Sequence, residues 1–201
     1  MLKLKTVSSL LLAVFASACM ASSKGTVAVW PWTFDKGTDT ARNTAVETVR
    51  EIAEKSGYQT VSKQRAFAVA KNLSPTIAYR NGNPIKSDLR RYAKAVGANL
   101  VVYGTVKWHT RSIWVGSGPK TISTATANVY AYDARQNRIV YSKRGIVGRS
   151  DEKENTLKVV GSVILTPMVT AVSGGPATPR EQRAVQIALG RAYQNWVRAG
   201  G

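Results

Sequence analysis

Few residues in this chain of 201 can do chemistry unaided. His109 is the only histidine and Cys19 the only cysteine. Cys19 ends an apolar leader and is excluded from any folded site, so neither a cysteine–histidine nucleophile pair nor a Cys/His zinc cluster can be assembled. The 11 acidic residues leave a carboxylate pair open. Asp35 and Asp39 flank the loop after the first predicted strand, a place where α/β sheets often hold ligands. They read either as a glycosidase-like pair or as a loop acid followed by a helix cap; the second is simpler. GSGPKT, Gly116 to Thr121, lacks the four residues that a phosphate loop places between its first glycine and Gly-Lys, so it reads as a turn. Lys107, Trp108, Arg111 and Trp114 interleave basic and aromatic groups. That mixture suits a stacking platform for single-stranded nucleic acid, or half-buried strand residues whose basic neighbours face water. These four form the candidate binding surface. No catalytic residue, metal ligand or cofactor is assigned.

The leader decides where such a surface would work. Lys3 and Lys5 precede an uncharged run from Val7 to Ala18 with leucines at its centre. A basic start, about a dozen apolar residues and small residues at the end make a secretory signal over 1–18. The run is shorter than the about 20 residues needed to span a bilayer. Ala16-Ser17-Ala18 before Cys19 suits an ordinary signal peptidase, cutting before Cys19 or before Ser22. The same ASAC resembles a bacterial lipobox, in which the cysteine takes a diacylglycerol and becomes the new N-terminus; Ala16 stands where that pattern prefers leucine. Residues 19–25 then serve as a short tether. The expected location is the periplasmic side of a bacterial envelope, as an outer-membrane lipoprotein.

About 180 residues remain after processing, enough for one domain with a proper core, assigned to 26–198. With 29 Lys plus Arg against 11 Asp plus Glu, the net charge is +18, and +16 once Lys3 and Lys5 are removed. Such an excess favours anionic partners: lipid headgroups, lipopolysaccharide, wall polymers or nucleic acid. Export disfavours the last. The cations are scattered along the chain, which also fits a solvated surface with no dedicated ligand.

Periodicity supplies the elements. TVAVWPW, Thr26 to Trp32, is a buried strand stopped by Pro31, and WTFDKGTD a loop. A helix capped by Asp39 runs to about Ser56 and ends at Gly57. YQTVS is a second strand, and Ser62 caps a second helix. LSPTIAYRNGNPIK is a loop with an Asn81-Gly82 turn. Ser87-Asp88 opens a third helix that stops at Gly97. Asn99 to Trp108 is the strongest strand, followed by a separate strand over Ser112 to Val115. Ile122 to Tyr132 and Arg138 to Arg144 form a hairpin through DARQN, which Ile146 to Gly148 extends. Leu157 to Val172 is apolar around Pro167, a buried helix, a membrane-resting element or a subunit interface. Thr178-Pro-Arg-Glu181 is a capping box for a last helix reaching about Val197. The sum is α/β (α+β): one three-layer-like domain with a mixed sheet, a βαβα first half, an antiparallel hairpin in the second half and a C-terminal helix.

Three pieces together resemble one group of proteins. VAVWPW is similar to the VAV-x-P-aromatic first strand of bacterial envelope domains related to the curli secretion lipoprotein CsgG, an architecture shared by the N-terminal domain of the Tol-associated propeller protein and by lipoprotein activators of penicillin-binding proteins. LRRYAKAVGANLVVYGTVKW resembles the group's helix, Gly-Ala and apolar strand, and TATANVYAYDARQNRIVYSKRG its hairpin. YQTVSKQRAFAVAKNL fits the second strand and helix. The resemblance spans Thr26 to Gly148. Trp30 and Trp32 depart from it, standing where the group usually has a smaller aliphatic residue and Phe, and GSGPKT interrupts its strand region. No pair of long amphipathic hairpins of the pore-building kind is found, so the pore is not carried over. The resemblance implies binding and assembly rather than catalysis. The expected function is an exported, lipid-anchored, non-catalytic accessory or scaffold that binds another envelope component, either a protein or an anionic wall or lipid surface. Oligomerisation stays open. The alternatives are a basic nucleic-acid-binding protein and an envelope hydrolase using carboxylates.

Overall fold

Short apolar runs separated by amphipathic ones set the order of elements. The computed structural model describes residues 24–31, 33–34, 39–152 and 179–198; Cys19, Asp35 and the segment 157–172 lie outside them. Strand β1 (Thr26–Val29) is followed by β2 (Thr33–Phe34), α1 (Asp39–Lys55), β3 (Gln59–Thr60) and α2 (Lys63–Leu73). A 3-10 turn (Ser74–Thr76), β4 (Tyr79–Arg80), β5 (Asn83–Pro84) and α3 (Lys86–Val96) come next. The long strands β6 (Leu100–Val115), β7 (Gly118–Asp133) and β8 (Arg138–Arg149) precede the closing helix α4 (Pro179–Arg198).

The main sheet runs β3-β1-β6-β7-β8, with β2 also beside β6. β1 pairs in parallel with β3 and β6, since helices connect them; β6, β7 and β8 pair antiparallel through short turns. Val27, Ala28 and Val29 are covered on both faces, which is why β1 reads as a continuous apolar run. Val27 and Val29 meet α1 and α4 through Val46, Val49, Val185 and Leu189. Ala28 faces the other way, toward Leu89, Tyr92 and Val96 in the second core beneath α2 and α3. The domain is therefore three layers, as the pattern of elements predicts.

Several details correct the sequence reading. The segment expected as a loop after Pro31 returns to the sheet, where Thr33 and Phe34 align with Thr105 and Val106. Proline has no N–H to give the ladder, so β1 stops and β2 resumes beside β6. Leu100 to Val115 is one strand rather than two, paired without a break to β7. GSGPKT contributes only Gly116 and Ser117 to a tight turn, because Gly118 already pairs with Val115. Asn81 and Gly82 both have positive φ, 52° and 75°, a two-residue turn that closes a small β4–β5 hairpin inside the expected loop. Ser87-Asp88 does not open α3; the helix starts at Lys86. Asp88 turns inward, 4% exposed, and accepts the Ala78 N–H at 2.8 Å and Arg91 Nη1 at 3.1 Å.

Other expectations hold. Ser62 caps α2 by accepting the Arg65 N–H, and Gly97 ends α3 in the left-handed conformation at φ 73°. Asp133 Oδ1 accepts the Arg135 and Gln136 N–H groups in the β7–β8 turn. Asp39, expected as the cap before α1, is instead its first residue. α4 buries Ala184, Val185, Ala188, Leu189, Ala192 and Trp196. It lies directly on Gly148, where an added Cβ would fall 3.0 Å from Ala188 Cα and closer still to the Ala184 O and Ala188 N backbone atoms. β8 carries two bulges, and at one of them Gly145 (φ 67°) donates its N–H to Asn128 Oδ1 at 2.9 Å.

Candidate binding surfaces

Strand alternation decides what β6 presents. Trp108, Thr110, Ser112 and Trp114 share the face of Val106, while Lys107, His109 and Arg111 share the face of Tyr103. The four residues singled out from the sequence are thus divided two and two. Trp108 packs against the core below α1 and α4, and Thr110 Oγ1 donates to Glu181 Oε1 of α4 at 3.2 Å. Trp114, near the hairpin tip, is 78% exposed. Lys107 and Arg111 lie on the opposite face, beyond the stretch that α2 and α3 cover.

That second face collects cations from three strands. The register aligns Lys107 with Thr126, His109 with Thr124 and Ile113 with Lys120; Thr124 in turn aligns with Arg149. Lys107, His109, Arg111 and Lys120 are exposed. Arg144, also exposed, sits over the Tyr130 ring, 5.7 Å from its centre. Tyr130 stacks on Tyr103 at 5.1 Å. Burial pushes the Tyr103 phenol up to about 12, with Tyr130 adding to the rise and Arg144 opposing it. Asp151 stands at the end of this face, where Arg149 donates to both its oxygens, at 3.0 and 2.9 Å. That hydrogen bonding is the largest influence holding the Asp151 carboxyl below its ordinary value. Thr105, Thr124, Thr126 and Asn128 lie between the cations, and Asn128 Nδ2 donates to Thr105 Oγ1 at 3.1 Å. The result is a polar, cation-rich stretch of sheet with neutral hydrogen-bonding groups between the charges.

A concave feature lies where the sequence reading placed a possible ligand site, after the first strand, though none of its lining residues was singled out. At the carboxyl end of β1 a cleft of about 830 Å³ opens beside Trp30 and Pro31. α1 contributes Arg42 and Asn43, α2 contributes Phe67, Ala70 and Lys71, and Ser74, Tyr79 and Gly82 close the remaining side. Trp30 is buried and meets Tyr92 edge to face at 4.6 Å. Tyr92 fixes this corner by donating its hydroxyl to Val29 O at 3.2 Å. Partial burial raises the Tyr79 phenol above its ordinary value, while a hydrogen bond with Trp30 opposes the rise. The Asn81-Gly82 turn was the one legible sign of this wall.

Among the described residues no cluster of three or more His, Cys, Asp or Glu side chains could hold a metal ion, and no helix is long and apolar enough to cross a membrane. His109 stands exposed on β6. The side chain of Asp39 and all of Asp35 fall outside the described residues.

These features define a three-layer α/β domain with a basic sheet face and a separate cleft. Comparison with protein-family models finds no match, and comparison with curated proteins finds none. Among solved structures, the chain is similar to lipoprotein GNA1162 from Neisseria meningitidis at 14% identity and a TM-score of 0.45, over 62% of this chain and 81% of that one. It is also similar to LpoB from Escherichia coli, at 18% identity and a TM-score of 0.43, over 62% of this chain and 57% of that one. The protein CT253 from Chlamydia trachomatis aligns over 89% of this chain and 97% of its own, at 14% identity and a TM-score of 0.45.

Proposed function

We propose that this chain is an exported, non-catalytic accessory of a bacterial envelope, tethered by a lipid on Cys19, that docks its basic sheet face on an anionic envelope surface. The observation that carries the reading is the gathering of Lys107, Arg111, Lys120 and Arg144 on one face of β6, β7 and β8. Cations scattered along the sequence become neighbours through strand register. A patch of this kind attracts anionic headgroups or wall polymers by summed Coulomb attraction, which salt weakens. Exchangeable neutral groups such as Thr124 and Thr126 can hydrogen-bond phosphate or carboxylate oxygens between the charges. The leader over 1–18 and the tether over 19–25 support a location where such surfaces are within reach.

The test uses the mature chain with Cys19→Ser, which removes the lipid and leaves the face to act alone. Sedimentation with vesicles containing anionic phospholipid is expected to show binding that falls steeply between low and physiological salt, with little binding to zwitterionic vesicles. The Lys107→Glu/Arg111→Glu variant is expected to weaken binding at least tenfold, because adjacent anionic lipid contributes about 1 kcal/mol per cation. Wild-type affinity in that variant would refute the assignment of this face. Protein extracted from its native membrane is expected to have the intact mass of a chain that starts at acylated Cys19; an unmodified mass would remove the anchor.

A further inference from the structure

The cleft at the end of β1 takes no part in the basic sheet face. It lies at the carboxyl end of a parallel strand, where the chain leaves the sheet for α1. Its floor is apolar: Pro31, Phe67 and Ala70 beside the buried Trp30. At its mouth stand Lys71 and Arg42, and no acidic residue lines it among the described residues. Lys71 is exposed, and its ammonium makes no ion pair among the described residues. The wall opposite is held in place from beneath, since Asp88 accepts the Ala78 N–H next to Tyr79, while Tyr92 braces Trp30.

We propose that this cleft binds a short acidic peptide segment of a partner protein, seating one apolar side chain on Phe67 and Pro31 and placing a carboxylate at Lys71. The chemistry selects this occupant. A volume of about 830 Å³ falls in the range of a specific ligand site. An apolar anchor in a preformed hollow, with charges at its rim, is the usual division of labour at a peptide interface. A glycan would need a dense set of hydrogen-bonding partners, and the neutral polar side chains here are Asn43, Ser74 and the Tyr79 phenol. A nucleotide would need backbone N–H groups gathered around its phosphates, whereas the floor is made of side-chain carbon.

Fluorescence anisotropy on the full mature chain tests the assignment, with a fluorescein-labelled peptide of glutamates enclosing one leucine and one phenylalanine. Saturable binding is expected, weakened about tenfold by Lys71→Glu, which reverses one exposed ionic contact. Ser74→Trp fills the cleft and is expected to abolish binding. Amide shifts on titration should concentrate at Lys71, Ser74 and Gly82. The Lys107→Glu/Arg111→Glu variant should lose vesicle binding but keep peptide binding, so failure of the cleft and failure of the sheet face are separable. Equal affinity for a peptide with serine in place of leucine and phenylalanine would overturn the proposal, as would wild-type affinity in Lys71→Glu or shifts centred on β6.

Discussion

Gly148→Ala tests how closely α4 is seated. A methyl group at this position would overlap the backbone of Ala184 and Ala188 and fall 3.0 Å from Ala188 Cα, where ordinary contact begins near 3.4 Å. Backbone atoms cannot rotate aside, so the helix must lift from the sheet. A gap of about 0.5–1 Å forfeits roughly a quarter to a half of each dispersion contact along it. α4 buries Val185, Leu189, Tyr193 and Trp196 on this side, so several large side chains lose contact together. Overpacking of this kind typically destabilises by about 1–3 kcal/mol, and with the helix backbone itself in the way the upper end is expected. At about 2–4 °C per kcal/mol for a domain of this size, the melting temperature should fall by about 6–12 °C. Urea unfolding followed by far-UV circular dichroism gives the free energy directly. Gly116→Ala is the control: a Cβ there meets no atom within 4 Å, and a neutral or slightly stabilising effect is expected. A Gly148→Ala protein within about 0.5 kcal/mol of wild type would refute the close seating of α4.

Two further substitutions probe polar groups inside the fold. The Tyr193 hydroxyl is fully buried and finds no hydrogen-bond partner among the described residues, so Tyr193→Phe should raise stability by about 1 kcal/mol in urea titration; a loss of that size would reveal a partner. Asp88→Ala strands the Ala78 N–H and releases Arg91, so a loss of about 2–3 kcal/mol is expected, together with faster hydrogen exchange at the Ala78 amide. Unchanged exchange at Ala78 would show that the cleft wall does not depend on Asp88.

What the sequence discloses depends on whether a signal is local. The caps at Ser62 and Gly97 were legible because each is written within a few residues, and so was the apolar stripe of α4. The length of β6 was not. From Lys107 to Ser112 one face runs past α2 and α3 while the other still meets α4 through Trp108 and Thr110, and apart from Trp108 the residues on both faces are polar, which erases the alternation that marks a strand. Asp88 sits two residues inside α3, where an acid usually serves the helix terminus; its tertiary bond to Ala78 leaves no local trace. The basic face needed register to exist at all, since Lys107, Lys120 and Arg144 belong to three strands. The cleft draws on four separate segments, of which the end of β1 and the Asn81-Gly82 turn left a local sign and the faces of α1 and α2 did not. The division of Trp108 and Trp114 from Lys107 and Arg111 follows from alternation alone and was within reach of the sequence once the strand was known to be continuous.

The outer strands of the sheet bear on how copies would meet if, as proposed, many of them share one membrane. Such a tether would confine molecules to two dimensions, where edge-to-edge encounters are frequent, and an open strand edge is a template for joining one sheet to the next. Here one outer strand, β3, has only two residues, and the other, β8, is bent by two bulges and studded with Arg138, Lys143 and Arg144. Among the described residues, neither edge offers the long flat ladder that a second copy would need. Under the proposed tether, copies meeting at these two described edges would find little ladder to extend, and a partner approaching β3 or β8 would be recognised through side chains rather than by adding a strand.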